Sequence, residues 1–591
     1  MLRMGLECVT GNGLIAVTIL ATIVALRHGG AWWITPVAGI AANSVRNRAF
    51  FRYVAHAAGW KKAILCFPAM LIHQVRCLYA RIAGAVRAEH VRDRWLWPVA
   101  ILIGAALLGV QISGGAFEAE FTGHPDEPAH FVSVLILYDY LVTLPRENPI
   151  GWAQQYYLHY PKVAIGHWPP LYPVMEASWW LLWGPSRLTA ILLQWLIGVV
   201  ALTMFYRLAR SMLSLPVTAV LTALMIAAPV FQRSLEQTMA DLFCLLWAIL
   251  VMHATVRLLQ EHDQKALFLI VTGLVGAALT KGTAICLLPV PFVALFAYGK
   301  RIRISRRALI AGGACLLAAA AWYFAMGDVL RWGGMSFDDP WPGRFVGRVA
   351  GWGFVVLAIF GLRRKPLALV AGSILICMLG VSFYVRAMRE ERLWITALPA
   401  LLILSGVAVS RFKRPWVAAC VLLPAVVFFP FARYRQSGSG FDKLVHQLKR
   451  PSRMLVTSLS PMDIGEGGWI AMSALAEQRP ASFVIRASKA LADANWNGDR
   501  YRLLASDEGA VLRRLDELGI DTVIVHVPAQ QQTLPHQVLL RRTVSESRAW
   551  APCGNATNTL SAYCRTEAPR FPRQPLRVNV QGWVFEERPG P

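Results

Sequence analysis

A series of apolar stretches, each near the length of a membrane-crossing helix, runs from residue 95 to residue 433. They cover 95–115, 186–206, 214–230, 239–259, 266–280, 283–298, 307–325, 346–361, 366–385, 393–410 and 416–433. About 20 apolar residues span a bilayer as a helix, so each stretch predicts one span. Upstream the pattern is less regular. Residues 14–26 and 31–42 are each short for a span and are separated by Arg27, His28, Gly29 and Gly30. They predict either a tight hairpin or one kinked span. Residues 63–80 carry His73, Gln74 and Arg76 between basic flanks, which predicts an interfacial segment. Beyond residue 435 no apolar run is long enough to span. Short β-rich runs (454–459, 482–485, 521–526) alternate there with helix-patterned stretches (468–477, 508–518, 534–542), the pattern of a small α/β domain. The fold class expected is a polytopic α-helical membrane protein of about 11–13 spans with a C-terminal α/β domain. Its expected parts are residues 1–94, a membrane hairpin with a basic interfacial segment; 95–434, the transmembrane domain; and 435–591, an extracytoplasmic domain.

Composition agrees. Of 591 residues, 56% are apolar and 16% charged, with mean hydropathy +0.46; soluble domains carry about 45–50% and about 25%. With 22 Trp, 26 Phe and 15 Tyr, so little charge excludes a disordered chain. Lys and Arg number 59 against 34 Asp and Glu, so the net charge is 59 − 34 = +25. That excess lies in short loops between apolar runs, which points to membrane topology and away from nucleic acid as a partner. If Arg76–Arg94 is cytoplasmic, then Arg207–Arg210, Arg257–Lys265, Lys300–Arg307, Arg363–Lys365 and Arg411–Lys413 also fall inside. The exception is Arg386–Arg392, which falls outside. Its basic residues suggest an anionic ligand there, while Glu390 and Glu391 offer plain salt bridges as the alternative. The same count puts residues 435–591 outside. Cys553 and Cys564 are an isolated pair in that tail, and a disulfide between them fits an oxidising compartment; two free surface thiols are the alternative.

The spans are nearly free of charge, whereas channels and carriers place ionisable groups within theirs. Unusual residues crowd the loop at 116–185 instead, and a loop of such length tends to be functional. It contains His124-Pro125-Asp126-Glu127-Pro128-Ala129-His130-Phe131, and then an apolar, helix-compatible stretch at 132–144 expected along the membrane surface. Adjacent carboxylates there admit three readings. A helix N-terminus favours acids as caps; a positioned carboxylate can take a proton from an acceptor; and His124, Asp126 and His130 have the chemistry of metal ligands. Further along come Tyr156-Tyr157, Lys162 and Gly166-His167-Trp168-Pro169-Pro170-Leu171-Tyr172. Tyr157, Trp168, Pro170 and Tyr172 suit a wall for a sugar or prenyl chain, or serve as interfacial anchors. Gly465-Glu466-Gly467-Gly468 in the tail lacks the spacing of a nucleotide fingerprint and reads as a turn.

Pro125-Asp126-Glu127 with Phe131, followed by Trp168-Pro169-Pro170-Leu171-Tyr172, resembles the polytopic GT-C glycosyltransferases. The likeness is to the branch of protein O-mannosyltransferases and lipid A aminoarabinose transferases. Asp241 resembles that branch's second acidic position, Ala278-Leu279-Thr280-Lys281-Gly282 its Thr-Lys-Gly turn, and Glu391-Arg392 with Pro399 its arginine before a span. The likeness covers about 95–430 in the family's order. It implies transfer of one sugar from a polyprenyl-phosphate donor to a lipid, glycan or protein acceptor at the outer membrane face, in a bacterial cell membrane. The catalytic acid falls on Asp126, with Glu127 and Asp241 in support. Lys281, Arg386, Arg389 and Arg392 are the implied cations for the donor phosphate, and Arg233 is a weaker choice. The aminoarabinose transferases have a basic residue before the Pro-Pro where this chain has Trp168, so that role passes to His167 or Lys162, or is lost. No cofactor is expected to be required, although a divalent cation is possible. The rival reading is a polytopic transporter or lipid flippase, which would show internal repeats; none is visible.

Overall fold

The computed structural model describes Leu96 to Glu587, apart from 163–165, 300–303, 326–342, 364, 385–389, 428, 432–434, 450, 460–463, 478–479, 494–500, 529–532, 568–573 and 581–582. The readings of residues 14–42 and 63–80 fall outside the described residues.

The membrane part begins with α1 (Leu96–Ser113), then the loop helices α2 (Glu127–Thr143), α3 (Pro149–His159) and α4 (Leu171–Trp183). It continues with α5 (Arg187–Arg210), α6 (Leu215–Ala227), α7 (Pro229–Glu236), α8 (Asp241–Glu261) and α9 (Gln264–Thr280). A 3-10 turn at Gly282–Leu287 leads to α10 (Val290–Tyr298), followed by α11 (Arg306–Ala325), α12 (Gly343–Ala350), α13 (Trp352–Gly361) and α14 (Pro366–Tyr384). A second 3-10 turn, Glu391–Ala397, enters α15 (Leu398–Val409), and α16 (Pro415–Val427) follows. Four described spans meet the length and polarity of a membrane crossing: α1, α5, α8 and the continuous Glu391–Val409. Helices α6 and α7 add a fifth if they are one span, bent by 57°.

The apolar stretches from 95 to 433 are largely helical where described, but four of the predicted spans are not regular α-helix throughout. Pro229 lacks an N–H and disfavours helical backbone before it, so the chain turns at Ala228. Gly351, at φ 79°, separates α12 from α13, a conformation that suits glycine. The two 3-10 turns precede Pro291 and Pro399, which cannot donate backwards into a regular helix. The second 3-10 turn carries Arg392, and Lys281 stands just before the first. Glycines set the distances: a Cβ on Gly276 of α9 would lie 2.7 Å from the Trp247 ring of α8, so these helices pack closely, as small residues allow in membranes. Trp247 Nε1 then donates to Thr280 Oγ1 (3.0 Å), which fixes the end of α9.

The tail carries a five-stranded mixed sheet ordered β2-β1-β5-β7-β6, with β1 (Arg453–Ser458), β2 (Phe483–Arg486) and β5 (Thr522–His526) parallel. The antiparallel strands β7 (Leu560–Arg565) and β6 (Trp550–Thr557) extend it. Small antiparallel pairs β3–β4 (Ala492–Asp493 with Arg502–Leu503) and β8–β9 (Arg577–Val580 with Trp583–Glu586) lie apart from it. The helices here are α17 (Phe441–Gln447), α18 (Ile464–Ala476), the short α19 (Ala487–Ala490), α20 (Glu508–Glu517) and α21 (Pro535–Glu546). The expected strands and helices appear within a few residues, and Cys553 and Cys564 form a disulfide with Cα atoms 5.5 Å apart.

The tail is wedged against the loop helices. Helix α2, which covers the stretch at 132–144, packs against both α4 and α18. The Gly465–Gly468 run is part of α18, not a turn. A Cβ on Gly467 would lie 2.8 Å from Pro128 and 2.7 Å from Lys162 Nζ, so the glycine permits the approach of the two helices. The Glu120 carboxylate accepts the backbone N–H groups of Ser439 (2.6 Å), Phe441 (3.0 Å) and Asp442 (3.0 Å), and His159 meets the Ser482 carbonyl at 2.9 Å.

Candidate active site

Asp126 is the N-cap residue of α2, yet its side chain makes no capping hydrogen bond. The carboxylate instead receives Arg392 Nη2 at 2.5 Å, 266 residues away in sequence. Arg392 stands in the 3-10 turn before α15 and also donates Nε to Glu390 (2.5 Å). Burial pushes the Asp126 carboxyl up, but Arg392 and then His124 outweigh it and hold the group well below the usual range. It is ionised at neutral pH. His124 accepts the Asp126 backbone N–H on Nδ1 at 3.1 Å and turns Nε2 toward Glu390 (3.9 Å). Burial, then Arg392, pushes its pKa down to about 4, so the ring is neutral.

Glu127 diverges from its neighbour, as adjacent residues opening a helix do. It is fully buried, with Oε1 2.7 Å from Arg187 Nη1 and 3.2 Å from the Thr238 backbone N–H. Arg187 also donates to the Ala116 carbonyl (3.1 Å) and, at 3.4 Å, to the Glu236 carbonyl and Gln436 Oε1. Its guanidinium lies over the Phe121 ring at 4.9 Å. Phe121 itself is held at φ 59°, an uncommon state for a bulky residue and a mark of over-determined packing.

Asp241 opens α8, and its Oδ1 receives Lys281 Nζ at 2.7 Å from the end of α9. A cavity beside this pair is lined by Cys244, Thr283, Ala284, Leu393, Ile395 and Thr396. His130 feels both ion pairs: its charge environment includes Lys281, Asp126, Asp241 and Arg392. Its ring stacks on Trp168 with centroids 4.0 Å apart and 23° between planes, and Tyr172 meets its edge at 5.4 Å. Burial and then Lys281 depress the imidazole pKa to about 3, so it too is neutral. The Tyr172 hydroxyl accepts from Gln194 Nε2 (3.1 Å). Neighbouring Glu176 is pushed up to about 8 by burial, which leaves it protonated at pH 7.

The structure thus brings together Asp126, Asp241, Lys281 and Arg392, with His130, Trp168 and Tyr172 beside them. His167 touches Trp168 edge-on at 5.2 Å, and burial depresses its pKa. Pro170 caps α4. Lys162 is buried by the tail helix, and Tyr157 packs edge-on against Phe585 of the tail at 5.6 Å, away from the ion pairs. Arg233 is exposed on α7, while Arg386 and Arg389 fall outside the described residues. Among the described residues, no three His, Cys, Asp or Glu side chains converge to hold a metal ion. Arg187, Glu176 and Gln194 were not singled out in the sequence, whereas Glu390 was read there as a salt-bridge partner and is one, to Arg392. Arg187 alone left a signal: an arginine at the predicted outer start of a span runs against the usual charge bias.

The fold is that of a polytopic membrane protein with the architecture of GT-C glycosyltransferases. Residues 167–324 match the dolichyl-phosphate-mannose-protein mannosyltransferase family. In structure the chain is similar to ArnT from Cupriavidus metallidurans bound to undecaprenyl phosphate, with a TM-score of 0.51 and 14% identity over 82% of this chain and 100% of that one. Weaker similarity extends to the Archaeoglobus fulgidus oligosaccharyltransferase tethered with an acceptor peptide, with a TM-score of 0.47 and 11% identity over 74% of this chain and 69% of that one. No curated protein matches the sequence significantly. The resemblance to the O-mannosyltransferase and aminoarabinose transferase branch, drawn above from short motifs, stands.

Proposed function

We propose that the protein transfers a sugar from a polyprenyl-phosphate donor to an acceptor lipid, glycan or protein at the extracytoplasmic face of a bacterial cell membrane. The observation that carries this reading is the convergence of Asp126, Asp241, Lys281 and Arg392. They come from the loop after α1, the start of α8, the end of α9 and the turn before α15, and form two adjacent ion pairs. An acid beside cations is what the reaction needs. The acceptor hydroxyl or amine attacks the anomeric carbon as its proton passes to the Asp126 carboxylate. The bond from that carbon to the phosphate oxygen breaks, and polyprenyl phosphate leaves with the electron pair. A single displacement of this kind inverts the anomeric centre.

The Arg392 contact has a mechanistic consequence. A carboxylate paired this closely is a feeble base, because the guanidinium stabilises its charge. A donor phosphate that draws Arg392 toward itself loosens the pair and restores basicity to Asp126 when substrate is present. Lys281 supplies a second positive charge for the leaving phosphate, and Asp241 holds that lysine in place. Glu127 acts through structure, anchoring the start of α2 on Arg187. The Cys553–Cys564 disulfide and the basic loops on the opposite side support an extracytoplasmic tail. Purified Asp126→Asn protein, assayed with a prenyl-phosphate sugar, tests the proposal. Loss of a positioned base costs about 10²–10⁴-fold in rate; transfer at the wild-type rate would refute the assignment.

A further inference from the structure

His130 is a buried group at this site that the displacement above leaves without work. Its side chain is 1% exposed, and neither Nδ1 nor Nε2 has a hydrogen-bond partner. Buried polar atoms are rarely left so, and leaving one unmade costs about 1–3 kcal/mol. A structural histidine would have found a carbonyl or a carboxylate. Acids are close: Asp126 and Asp241 both contribute to the electrostatics of the ring. Each is already taken by a cation, Asp126 by Arg392 and Asp241 by Lys281.

The ring is nevertheless held firmly. Trp168 covers one face and Tyr172 meets its edge, while the His130 backbone N–H bonds to the Asp126 carbonyl at 2.9 Å within the first turn of α2. The imidazole is therefore pre-oriented, which lowers the cost of engaging a ligand. A neutral imidazole offers one N–H donor and one lone-pair acceptor. That pairing suits a hydroxyl, which accepts and donates in the same way, better than a phosphate, which accepts only. The flat indole behind it gives an apolar wall of the kind that carbohydrate rings lie against.

We infer that His130 binds a ring hydroxyl of the donor sugar and, with Trp168, selects which sugar is transferred. The inference rests on the glycosyl-transfer reading and deepens it: Asp126, Lys281 and Arg392 perform the displacement, and His130 reads the sugar that is transferred. It is a specificity residue that touches the transferred sugar, and its loss is felt according to the sugar offered.

The test uses the purified full chain with short-chain prenyl-phosphate hexoses and pentoses, each accompanied by its single-deoxy counterparts. For the sugar that wild type transfers best, one deoxy donor is expected to lose about 10–100-fold in kcat/KM, the worth of a hydrogen bond in a buried site. His130→Ala is expected to lose a similar factor with the full sugar and to show no further loss with that deoxy donor. His130→Gln keeps a donor and an acceptor and is expected to recover part of the loss. Equal discrimination between full and deoxy donors in wild type and His130→Ala would overturn the inference, as would a Gln variant no better than Ala although folded by tryptophan fluorescence. Absence of transfer from every donor by wild type would instead overturn the glycosyltransferase reading, and this inference with it.

Discussion

Removing Arg187 while keeping Glu127 tests whether the second carboxylate of the Asp-Glu pair is a structural anchor. In Arg187→Met the apolar stem remains but the guanidinium is lost, and Glu127, 0% exposed, keeps only the Thr238 N–H at 3.2 Å. Breaking a buried ion pair from one side costs about 3–5 kcal/mol. The Arg187 contacts to Ala116, Glu236 and Gln436 go as well, so the upper half of that range is expected. If the cage is not formed in the unfolding transition state, about 4 kcal/mol corresponds to an unfolding rate roughly 10³-fold faster. Tryptophan fluorescence in mixed detergent with a denaturant jump reads that rate directly. The double variant Glu127→Gln/Arg187→Met leaves no charge buried and is expected to recover at least half of the loss. Arg187→Met unfolding at the wild-type rate, or a double variant no slower than the single, would refute the reasoning.

Burial pushes the Asp139 carboxyl up to about 7, opposed by the Tyr156 hydroxyl that donates to it at 3.0 Å. A raised acid favours folding fully below its unfolded pKa, near 3.8. That contribution is lost as pH rises to about 7, so wild-type stability should fall across this window and Asp139→Asn should flatten it, as measured by denaturation at fixed detergent. The Cys553–Cys564 disulfide closes a loop with sequence separation 11, worth about 2–3 kcal/mol by chain entropy. The paired serine variant should lower the first transition in a denaturant titration by that amount and should be insensitive to reductant; unchanged stability would mean that the β6–β7 pairing alone holds this corner.

Hydropathy made the spans legible because the bilayer demands runs of apolar residues whatever their neighbours. It did not show where α6 gives way to α7 or where 3-10 turns precede α10 and α15, and those bends decide which polar residues meet. Asp126, Asp241, Lys281 and Arg392 could be picked out as chemistry-bearing residues, but their pairing could not. Asp126 meets Arg392 across 266 residues, a contact no local periodicity encodes. His130 looked like a metal candidate beside His124, yet one ring turns toward Trp168 and the other toward Glu390. In the tail, alternation revealed the parallel strands, whereas Pro552, Gly554 and the bulged register of β6 hid the antiparallel hairpin.

Gln436, in the segment that leads from the membrane helices into the tail, reaches back to the cage around Arg187. Its Nε2 donates to the Glu236 carbonyl at 2.9 Å, and its backbone N–H donates to the Gly114 carbonyl at 2.8 Å. During synthesis, α1, the Asp126 loop and α5 therefore emerge long before the residue that seals their shared charge pair. Until position 436 has been made, the Gly114 and Glu236 carbonyls lack these donors. The anchor that holds the start of α2 is thus completed only by the segment that opens the tail.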